Sequence, residues 1–177
     1  MTYLIDEIDI TEEALIKSEE VVERSPILVI GIDCRTSNAI EAGPQDISKL
    51  WEKFYNEDVI SRIPNKISNE VIALYCEYES DYSGAYSVVI GCPVSSIDRI
   101  PEEMVAKIIP GGSYAIFRAI GEHPKALIET WFNIWKQASL DRAYTSDFEL
   151  YGDKFWSNLP KEVEVCVAVY SKKDCLL

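Results

Sequence analysis

The alternation of apolar and polar side chains is clearest in the stretch Asp147-Phe148-Glu149-Leu150-Tyr151. Side chains two positions apart in a strand lie on one face, so Asp147, Glu149 and Tyr151 should point one way. Phe148 and Leu150 should point the other way and form the ordinary apolar face. Charged residues are mostly exposed in proteins, which favours a solvent-facing Glu149. The other interpretation, favoured by the features described below, makes Glu149 the charged floor of a pocket.

Hydrophobic periodicity predicts two long helices and a series of short strands. The helices, at residues 45–60 and 124–138, carry apolar side chains three and four positions apart. Alternating or short apolar runs bounded by turn residues predict strands at residues 27–32, 70–79, 86–94, 104–109, 114–121, 147–151 and 162–170. Segments rich in polar residues, glycine or proline predict loops at residues 35–38, 80–84, 110–112 and 152–159.

Residues 1–24 form an acidic, weakly patterned extension, and we predict one domain over residues 25–177. Within the extension, Thr11-Glu12-Glu13 is compatible with the cap of a short helix that runs through Ile16. Residues 20–24 are equally compatible with the start of the first strand. A chain of 177 residues suits a single domain with a sizeable core.

The predicted elements follow the order strand-helix-strand-strand twice. Trp51 and Tyr55 in the first helix, and Trp131 and Trp135 in the second, are four positions apart and share a helix face. Aromatic residues at helical spacing usually belong to the core, which would explain either pair alone. Two equivalent pairs predict an internal duplication with facing helices, and clefts between repeated halves often bind ligands. We therefore predict an α+β fold in which both helices pack on one side of a curved mixed or antiparallel sheet.

Charge and cysteine content narrow the possible partners and the compartment. A net charge of −13 argues against nucleic-acid binding, which needs clustered Lys and Arg, and suits a cationic partner or simply solubility. The five cysteines include no CxxC pair, so we predict reduced thiols, a cytoplasmic location and neither disulfide nor metal. The sequence shows no signal peptide and no apolar stretch long enough to span a membrane.

The sequence disfavours a metal site, a catalytic triad and a phosphate-binding loop. Its single histidine, His123, precedes Pro124 at the start of a predicted helix and is interpreted as a capping or surface residue. The absence of a second histidine disfavours both a zinc site and a Ser-His-Asp hydrolase. Gly111-Gly112 precedes a strand rather than a helix, so it predicts a turn and not a phosphate loop. We predict no catalytic residue and no cofactor.

Several short motifs occur in the order and spacing of one known family. They are Gly31-Ile32, Arg35-Thr36-Ser37-Asn38, Leu50-Trp51-Glu52-Lys53-Phe54, Tyr75, Tyr78, Gly84-Ala85-Tyr86, Gly91, Ile109-Pro110-Gly111-Gly112-Ser113-Tyr114-Ala115-Ile116-Phe117, Trp131, Trp135 and Asp147-Phe148-Glu149-Leu150-Tyr151. Over residues 25–170 the chain resembles the GyrI-like effector-binding family, which includes the ligand domains of AraC-type and MerR-type regulators. Among these it is most similar to the stand-alone integron-associated effector-binding proteins.

This resemblance implies two βαββ modules that form a curved antiparallel sheet around a cleft for hydrophobic, usually cationic, compounds. The acidic residue of the family's Phe-Glu-x-Tyr motif corresponds to Glu149. Residues 1–24 are too short for a helix-turn-helix domain, so we expect a protein that senses or sequesters its ligand without a DNA-binding domain of its own. A few members hydrolyse reactive cyclopropane-bearing natural products. The alternative function is therefore a hydrolase in which Glu149 is the general base and Tyr75 or Tyr151 polarises the substrate.

An aromatic cavity around one carboxylate would suit a lipophilic cation. Burying apolar surface contributes roughly 25 cal/mol per Å², and each ring face that a desolvated cation contacts adds about 0.5–2 kcal/mol. Each aromatic residue taken alone is more often part of the core than a ligand contact. The predicted ligand-binding residues are Glu149, Trp51, Phe54, Tyr75, Tyr86, Trp131, Trp135 and Tyr151. A third interpretation is a protein-interaction domain whose groove takes a peptide.

Overall fold

The computed structural model of the protein describes residues 20–39, 43–157 and 159–171. Its strands are β1 (Glu20–Arg24), β2 (Ile27–Ser37), β3 (Val71–Cys76), β4 (Ala85–Val94), β5 (Val105–Ile109), β6 (Gly112–Gly121), β7 (Ser146–Tyr151) and β8 (Lys161–Ala168). Its helices are α1 (Gly43–Asn56), α2 (Val59–Arg62), α3 (Lys125–Lys136) and α4 (Asp153–Trp156). No helix within this part of the chain is long and apolar enough to cross a membrane.

The strands form one curled antiparallel sheet in the order β1-β6-β8-β7-β3-β4-β2-β5. Two βαββ repeats build it, β2-α1-β3-β4 and β6-α3-β7-β8, and they meet where β7 pairs with β3. The strands that precede the repeats are exchanged, because β1 pairs with β6 of the second repeat and β5 pairs with β2 of the first. The predicted duplicated α+β fold with an antiparallel sheet is confirmed.

Both long helices pack on the same face of the sheet, as predicted. Trp51 of α1 contacts Tyr151, and Trp131 of α3 contacts Tyr75 on the neighbouring strand. The opposite face carries a second core, in which Phe148 is completely buried. Apolar layers on both faces explain why β4 is a nearly continuous hydrophobic run rather than an alternating one. The cleft between α1 and α3 lies above the junction of the two repeats.

The predicted loop at residues 35–38 is largely strand, because β2 continues to Ser37. The backbone of this segment pairs with β4, and the buried Thr36 hydroxyl donates a hydrogen bond to Asp46 of α1 at 2.9 Å. Polar side chains made the segment look like a loop, whereas pairing with the neighbouring strand and bonding to α1 satisfy those polar groups within the fold.

The other differences concern where elements begin and end. The first helix was predicted to reach residue 60, but α1 ends at Asn56 because Asp58 adopts a left-handed backbone conformation with a φ of 47°. The predicted loop at residues 152–159 contains α4. Residues 20–24 form β1, whereas the helix considered around residues 11–16 lies outside the described residues.

The four cysteines in the described ranges are free thiols. Cys76, Cys92 and Cys166 are buried, and Cys34 is half-buried. Burial is the main reason that the pKa values of Cys76 and Cys92 rise to about 11. These side chains therefore behave as small apolar residues at neutral pH.

Candidate functional site

Glu149 lies in the middle of β7, at the junction of the two repeats. Its backbone pairs with Ala73 on β3 and with Val165 on β8. Ala73 occupies the equivalent position of the first repeat, so a single carboxylate stands at the pseudo-twofold axis. Glu149 shares the helix-covered face with Tyr151 and is only 1% exposed. The solvent-facing interpretation of this residue is therefore wrong.

Three aromatic side chains donate hydrogen bonds to this carboxylate. The Tyr75 hydroxyl and the Trp131 Nε1 donate to Oε1 at 2.8 and 2.7 Å, and the Tyr151 hydroxyl donates to Oε2 at 2.7 Å. All three donors are neutral, and no cationic side chain among the described residues forms an ion pair with Glu149. The donors hold both oxygens in place without neutralising the negative charge.

The aromatic side chains follow the symmetry of the repeats. Tyr75 and Tyr151 occupy equivalent positions on β3 and β7, and both hydroxyls reach the same carboxylate. Trp131 packs edge-on against Tyr75 with ring centroids 5.4 Å apart and an interplanar angle of 68°. Trp51 packs in the same way against Tyr151 at 5.1 Å and 72°. The predicted duplication therefore extends from the backbone to the side chains of the cleft.

Burial dominates the electrostatics of the cluster. Desolvation raises the pKa of Glu149, and its three hydrogen bonds offset part of this effect. Burial and the nearby Glu149 charge raise the pKa values of Tyr75 and Tyr151 well above their usual range. Both hydroxyls thus remain protonated donors. The ionised form of Glu149 is disfavoured by its surroundings, so a positive charge brought close to it would be stabilised.

A second carboxylate on the same face of β7 is already compensated. Asp147 accepts hydrogen bonds from the Arg142 guanidinium at 2.7 Å and from the Tyr78 hydroxyl at 2.6 Å. Its other oxygen accepts a bond from the backbone N–H of Ala168 at 2.9 Å. The buried ion pair with Arg142 neutralises Asp147 within the fold, which distinguishes it from Glu149.

An open cavity of about 290 Å³ lies next to this cluster. Tyr151 connects the two, because its hydroxyl bonds to Glu149 while its ring lines the cavity. Phe155 of α4 packs edge-on against the Tyr151 ring at 5.0 Å, and the Lys161 Nζ lies 4.7 Å from the centre of the Phe155 ring. The cavity is lined by Trp51, Tyr55, His123, Pro124, Leu127, Tyr151, Phe155 and Lys161.

The structure brings five of the predicted site residues together. Glu149, Tyr75, Trp131 and Tyr151 form one hydrogen-bonded cluster. Trp51 joins them through its ring contact with Tyr151 and also lines the cavity. Residues from both repeats and both long helices therefore converge on one carboxylate.

The other three predicted residues lie around this group. Tyr86 is buried beside Tyr75, with the ring centroids 6.0 Å apart. Phe54 is 1% exposed and packs in the core against Trp51. Trp135 lies one helical turn beyond the cluster on α3 and is 37% exposed. None of the three donates a hydrogen bond to Glu149 or lines the cavity.

Several cavity residues were not predicted as site residues. Tyr55 follows Trp51 by one helical turn, and that spacing could have indicated it. His123, interpreted above as a capping or surface residue, is half-buried and packs edge-on against Phe155 at 5.3 Å. No pattern in the sequence signals Phe155 or Lys161, because only the packing of α4 against β8 brings them to the cavity.

Comparisons with known sequences agree with this architecture. Residues 20–170 match the family described as integron-associated effector binding protein. YobU of Bacillus subtilis (strain 168) is 30% identical over 147 residues, which cover 81% of this chain and 91% of YobU. The transcriptional regulator BrlR of Pseudomonas aeruginosa is 26% identical over 158 residues, which cover 85% of this chain but only 54% of BrlR.

Solved structures share the fold. The integron cassette protein VCH_CASS2, from the mobile metagenome of Vibrio cholerae, has a TM-score of 0.68 at 33% identity and covers 85% of this chain and 95% of its own. SAV2435, solved with tetraphenylphosphonium bound, has a TM-score of 0.73 at 19% identity and covers 88% of this chain and 95% of its own. With residues 20–170 matched and the GyrI-like effector-binding fold in place, the chain belongs to the family of integron-associated effector-binding proteins.

Proposed function

We propose that the protein binds a lipophilic organic cation, which it senses or sequesters, and that Glu149 supplies the counter-charge. The observation that carries this proposal is a buried carboxylate whose hydrogen-bond partners are all neutral aromatic side chains. Buried charges in proteins are normally paired with an opposite charge, because desolvation is otherwise costly. A cation bound against Glu149 would supply the missing partner.

The surface around the carboxylate suits the rest of such a ligand. Trp51, Tyr151 and Phe155 line the adjacent cavity with aromatic rings. Ring faces attract a desolvated cation by about 0.5–2 kcal/mol each, and burial of the ligand's apolar groups contributes roughly 25 cal/mol per Å². Recognition of this kind depends on charge and hydrophobicity more than on directional hydrogen bonds, so one site can accept compounds of different shape.

Access to the carboxylate depends on Tyr151. Its ring lines the cavity and its hydroxyl bonds to Oε2 of Glu149, which is only 1% exposed, so a ligand in the cavity contacts that oxygen directly only if the Tyr151 side chain moves and this hydrogen bond breaks. Breaking a hydrogen bond to a charged group costs about 1.5–3 kcal/mol, which a new ion pair in the same buried position can offset. The shared fold of SAV2435, which is bound to tetraphenylphosphonium, supports the proposed ligand class.

The test is a calorimetric titration of a cation and a neutral ligand against the wild-type protein and Glu149→Gln. Tetraphenylphosphonium serves as the cation and triphenylphosphine oxide as the neutral ligand. Glutamine keeps the shape but removes the charge, so cation binding should weaken by about 2–5 kcal/mol, thirtyfold or more, while neutral binding changes little. Equal losses for both ligands would make Glu149 a structural residue. No loss for either would exclude it from the site.

The alternative function expected from the resemblance is hydrolysis. The mass of the compound after incubation distinguishes hydrolysis from binding. A binding protein returns the compound unchanged, whereas a hydrolase with Glu149 as general base adds water to an electrophilic substrate. We expect mass spectrometry of a cyclopropane-bearing cation to show only the starting mass after incubation. A hydrated product that forms with the wild-type protein and not with Glu149→Gln would overturn this expectation.

A further inference from the structure

Lys161 is the one charged side chain among the described residues that line the cavity. It lies at the start of β8, and its ammonium group stands over the Phe155 ring at 4.7 Å from the centroid. No carboxylate in the described part of the chain forms an ion pair with it, whereas Lys154 nearby is paired with Glu162 at 3.0 Å. A cavity built only for a cation gains nothing from a lysine, because like charges repel.

The cavity histidine does not share this charge at neutral pH. Burial lowers the pKa of His123, and the positive charge of Lys161 lowers it further. Neutral His123, which packs edge-to-face against Phe155, therefore forms an uncharged part of the cavity wall beside the lysine. Lys161 supplies the positive charge at this end of the cavity.

Lys161 and Glu149 stand at opposite ends of the site. On β8, Val165 pairs with Glu149, and Lys161 precedes Val165 by four residues on the same face of the sheet. Four residues of an extended strand span about 13 Å. The Tyr151 and Phe155 rings, which contact each other, lie between these ends.

We propose that the ligand is an amphipathic cation that carries an anionic group at its other end, with the cation at Glu149 and the anion at Lys161. This inference rests on the proposed function, since it assigns the ligand class of the same cavity. An anionic group would replace the contact of Lys161 with Phe155 by an ion pair. It would also add an attraction at the far end of the ligand, which offsets the repulsion between Lys161 and the cationic end. The net charge of −13 disfavours binding of an anion to this chain in general. Lys161 provides a local positive charge that can bind one in the cavity.

The test uses two probes that differ only at the end of one chain. One is a triphenylphosphonium ion with a pentyl chain, and the other ends the same chain in a carboxylate instead of a methyl group. Both are titrated against the wild-type protein and Lys161→Met, which keeps an unbranched side chain of nearly the same length and removes its charge. Lys161→Arg retains the charge, and Lys154→Met makes the same charge change outside the cavity.

We expect Lys161→Met to weaken binding of the carboxylate probe only. Lys161→Met should weaken the carboxylate probe about tenfold and leave the pentyl probe unchanged or more tightly bound. Lys161→Arg and Lys154→Met should keep the wild-type ratio of the two affinities. Binding of the pentyl probe also reports that each variant is folded.

The remaining outcomes separate this inference from the function on which it rests. Suppose that binding of the pentyl probe depends on Glu149, but that Lys161→Met leaves the ratio of the two probe affinities unchanged. The proposed ligand class is then wrong, whereas the proposed cation site is still supported. The proposed ligand class is also wrong if Lys161→Met lowers the affinities of both probes equally. The same holds if Lys154→Met changes the ratio of the two affinities as much as Lys161→Met does. If neither probe binds the wild-type protein, the proposed function itself fails.

Discussion

Two carboxylates on one face of β7 have different electrostatic surroundings. Asp147 and Glu149 are both completely or almost completely buried, at 0% and 1% exposure. Asp147 is neutralised by Arg142, whereas Glu149 is held by three neutral donors. A charge compensated within the fold has nothing to gain from a ligand, and an uncompensated one does. Both acids are buried on the same strand face, and only their partners differ. The partners therefore determine whether each negative charge is neutralised within the fold.

Cation affinity should depend on pH through Glu149. Burial raises the pKa of Glu149 in the ligand-free protein, and a bound cation favours the ionised form and lowers that pKa again. By linkage, affinity is fully present above the ligand-free pKa and is lost as pH falls through it. Titrations of tetraphenylphosphonium across mildly acidic pH should show this loss in the wild-type protein. The residual binding of Glu149→Gln should stay flat, and a parallel decline in that variant would assign the effect to another group.

Neutralising Asp147 should destabilise the protein, whereas neutralising Glu149 should not. Asp147→Asn leaves the buried Arg142 without its counter-charge, which costs about 3–5 kcal/mol of unfolding free energy. Glu149→Gln removes an uncompensated charge and should leave stability at neutral pH equal or higher. Because the folded-state pKa of Glu149 is raised, the wild-type protein gains stability as pH falls through that pKa, and the difference from Glu149→Gln shrinks.

Urea unfolding at neutral and mildly acidic pH measures both effects. Glu149→Gln is the matched control for Asp147→Asn, since each exchanges one buried carboxylate for its amide on the same strand face. Similar destabilisation by the two changes would contradict this difference in electrostatic surroundings.

At the scale of elements, the close approach of β2 and β4 holds the first repeat together. Gly31 and Gly91 face each other in this pair, and a Cβ on Gly31 would lie 2.6 Å from the Gly91 Cα and collide with the Ile90 carbonyl. Neither glycine has a positive φ, so it is the space between the strands that excludes a side chain. These strands carry residues that pack under α1, including Ile32 and Ile90.

Gly31→Ala should therefore destabilise the protein by about 3 kcal/mol, near the upper end of the usual cost of overpacking. The collision is with backbone, which cannot rotate away as a side chain can. Gly152→Ala is the matched control, because the nearest atoms to its added methyl group belong to the flexible Glu70 side chain. Thermal melts of both variants measure the effect. A change for Gly31→Ala no larger than that of the control would show that the strands separate at little cost.

At the scale of the whole molecule, the two repeats are bound to each other by more than their shared junction. Each contributes an outer strand to the other, since β1 joins β6 and β5 joins β2. The central carboxylate receives hydrogen bonds from both repeats, through Tyr75 of the first and Tyr151 and Trp131 of the second. Neither half alone has the complete sheet or the complete set of hydrogen-bond donors to Glu149, so we expect the two halves to unfold together.

A ligand that binds only the folded state should shift one cooperative unfolding transition. At a hundredfold excess over its dissociation constant, tetraphenylphosphonium would add about 2.7 kcal/mol, or about 5–10 °C in a domain of this size. Differential scanning calorimetry with and without the cation checks both the shift and the single transition. Glu149→Gln should show a much smaller shift at the same ligand concentration. Two resolved transitions, with one insensitive to ligand, would mean that the repeats fold independently.

The sequence by itself determined the features that depend on neighbouring residues. Period-two alternation marked β7 and placed Glu149 and Tyr151 on one face, and helical spacing marked Trp51 and Trp131 as inward-facing. The repeated order of elements indicated the duplication, and the motifs indicated the family. All of these are carried by residues close in sequence, where the backbone periodicity fixes which side chains share a face.

The tertiary structure alone decided which faces meet. The exchange of β1 and β5, the extension of β2 through its polar end and the packing of α4 over Tyr151 all depend on pairing between distant segments. The same holds for the different partners of Asp147 and Glu149, and for the approach of Lys161 to the cavity. Such contacts depend on strand register and on which distant segments of the chain come together, and no local sequence pattern predicts either. A carboxylate in the sequence became a candidate cation site only because its neighbours in space are neutral.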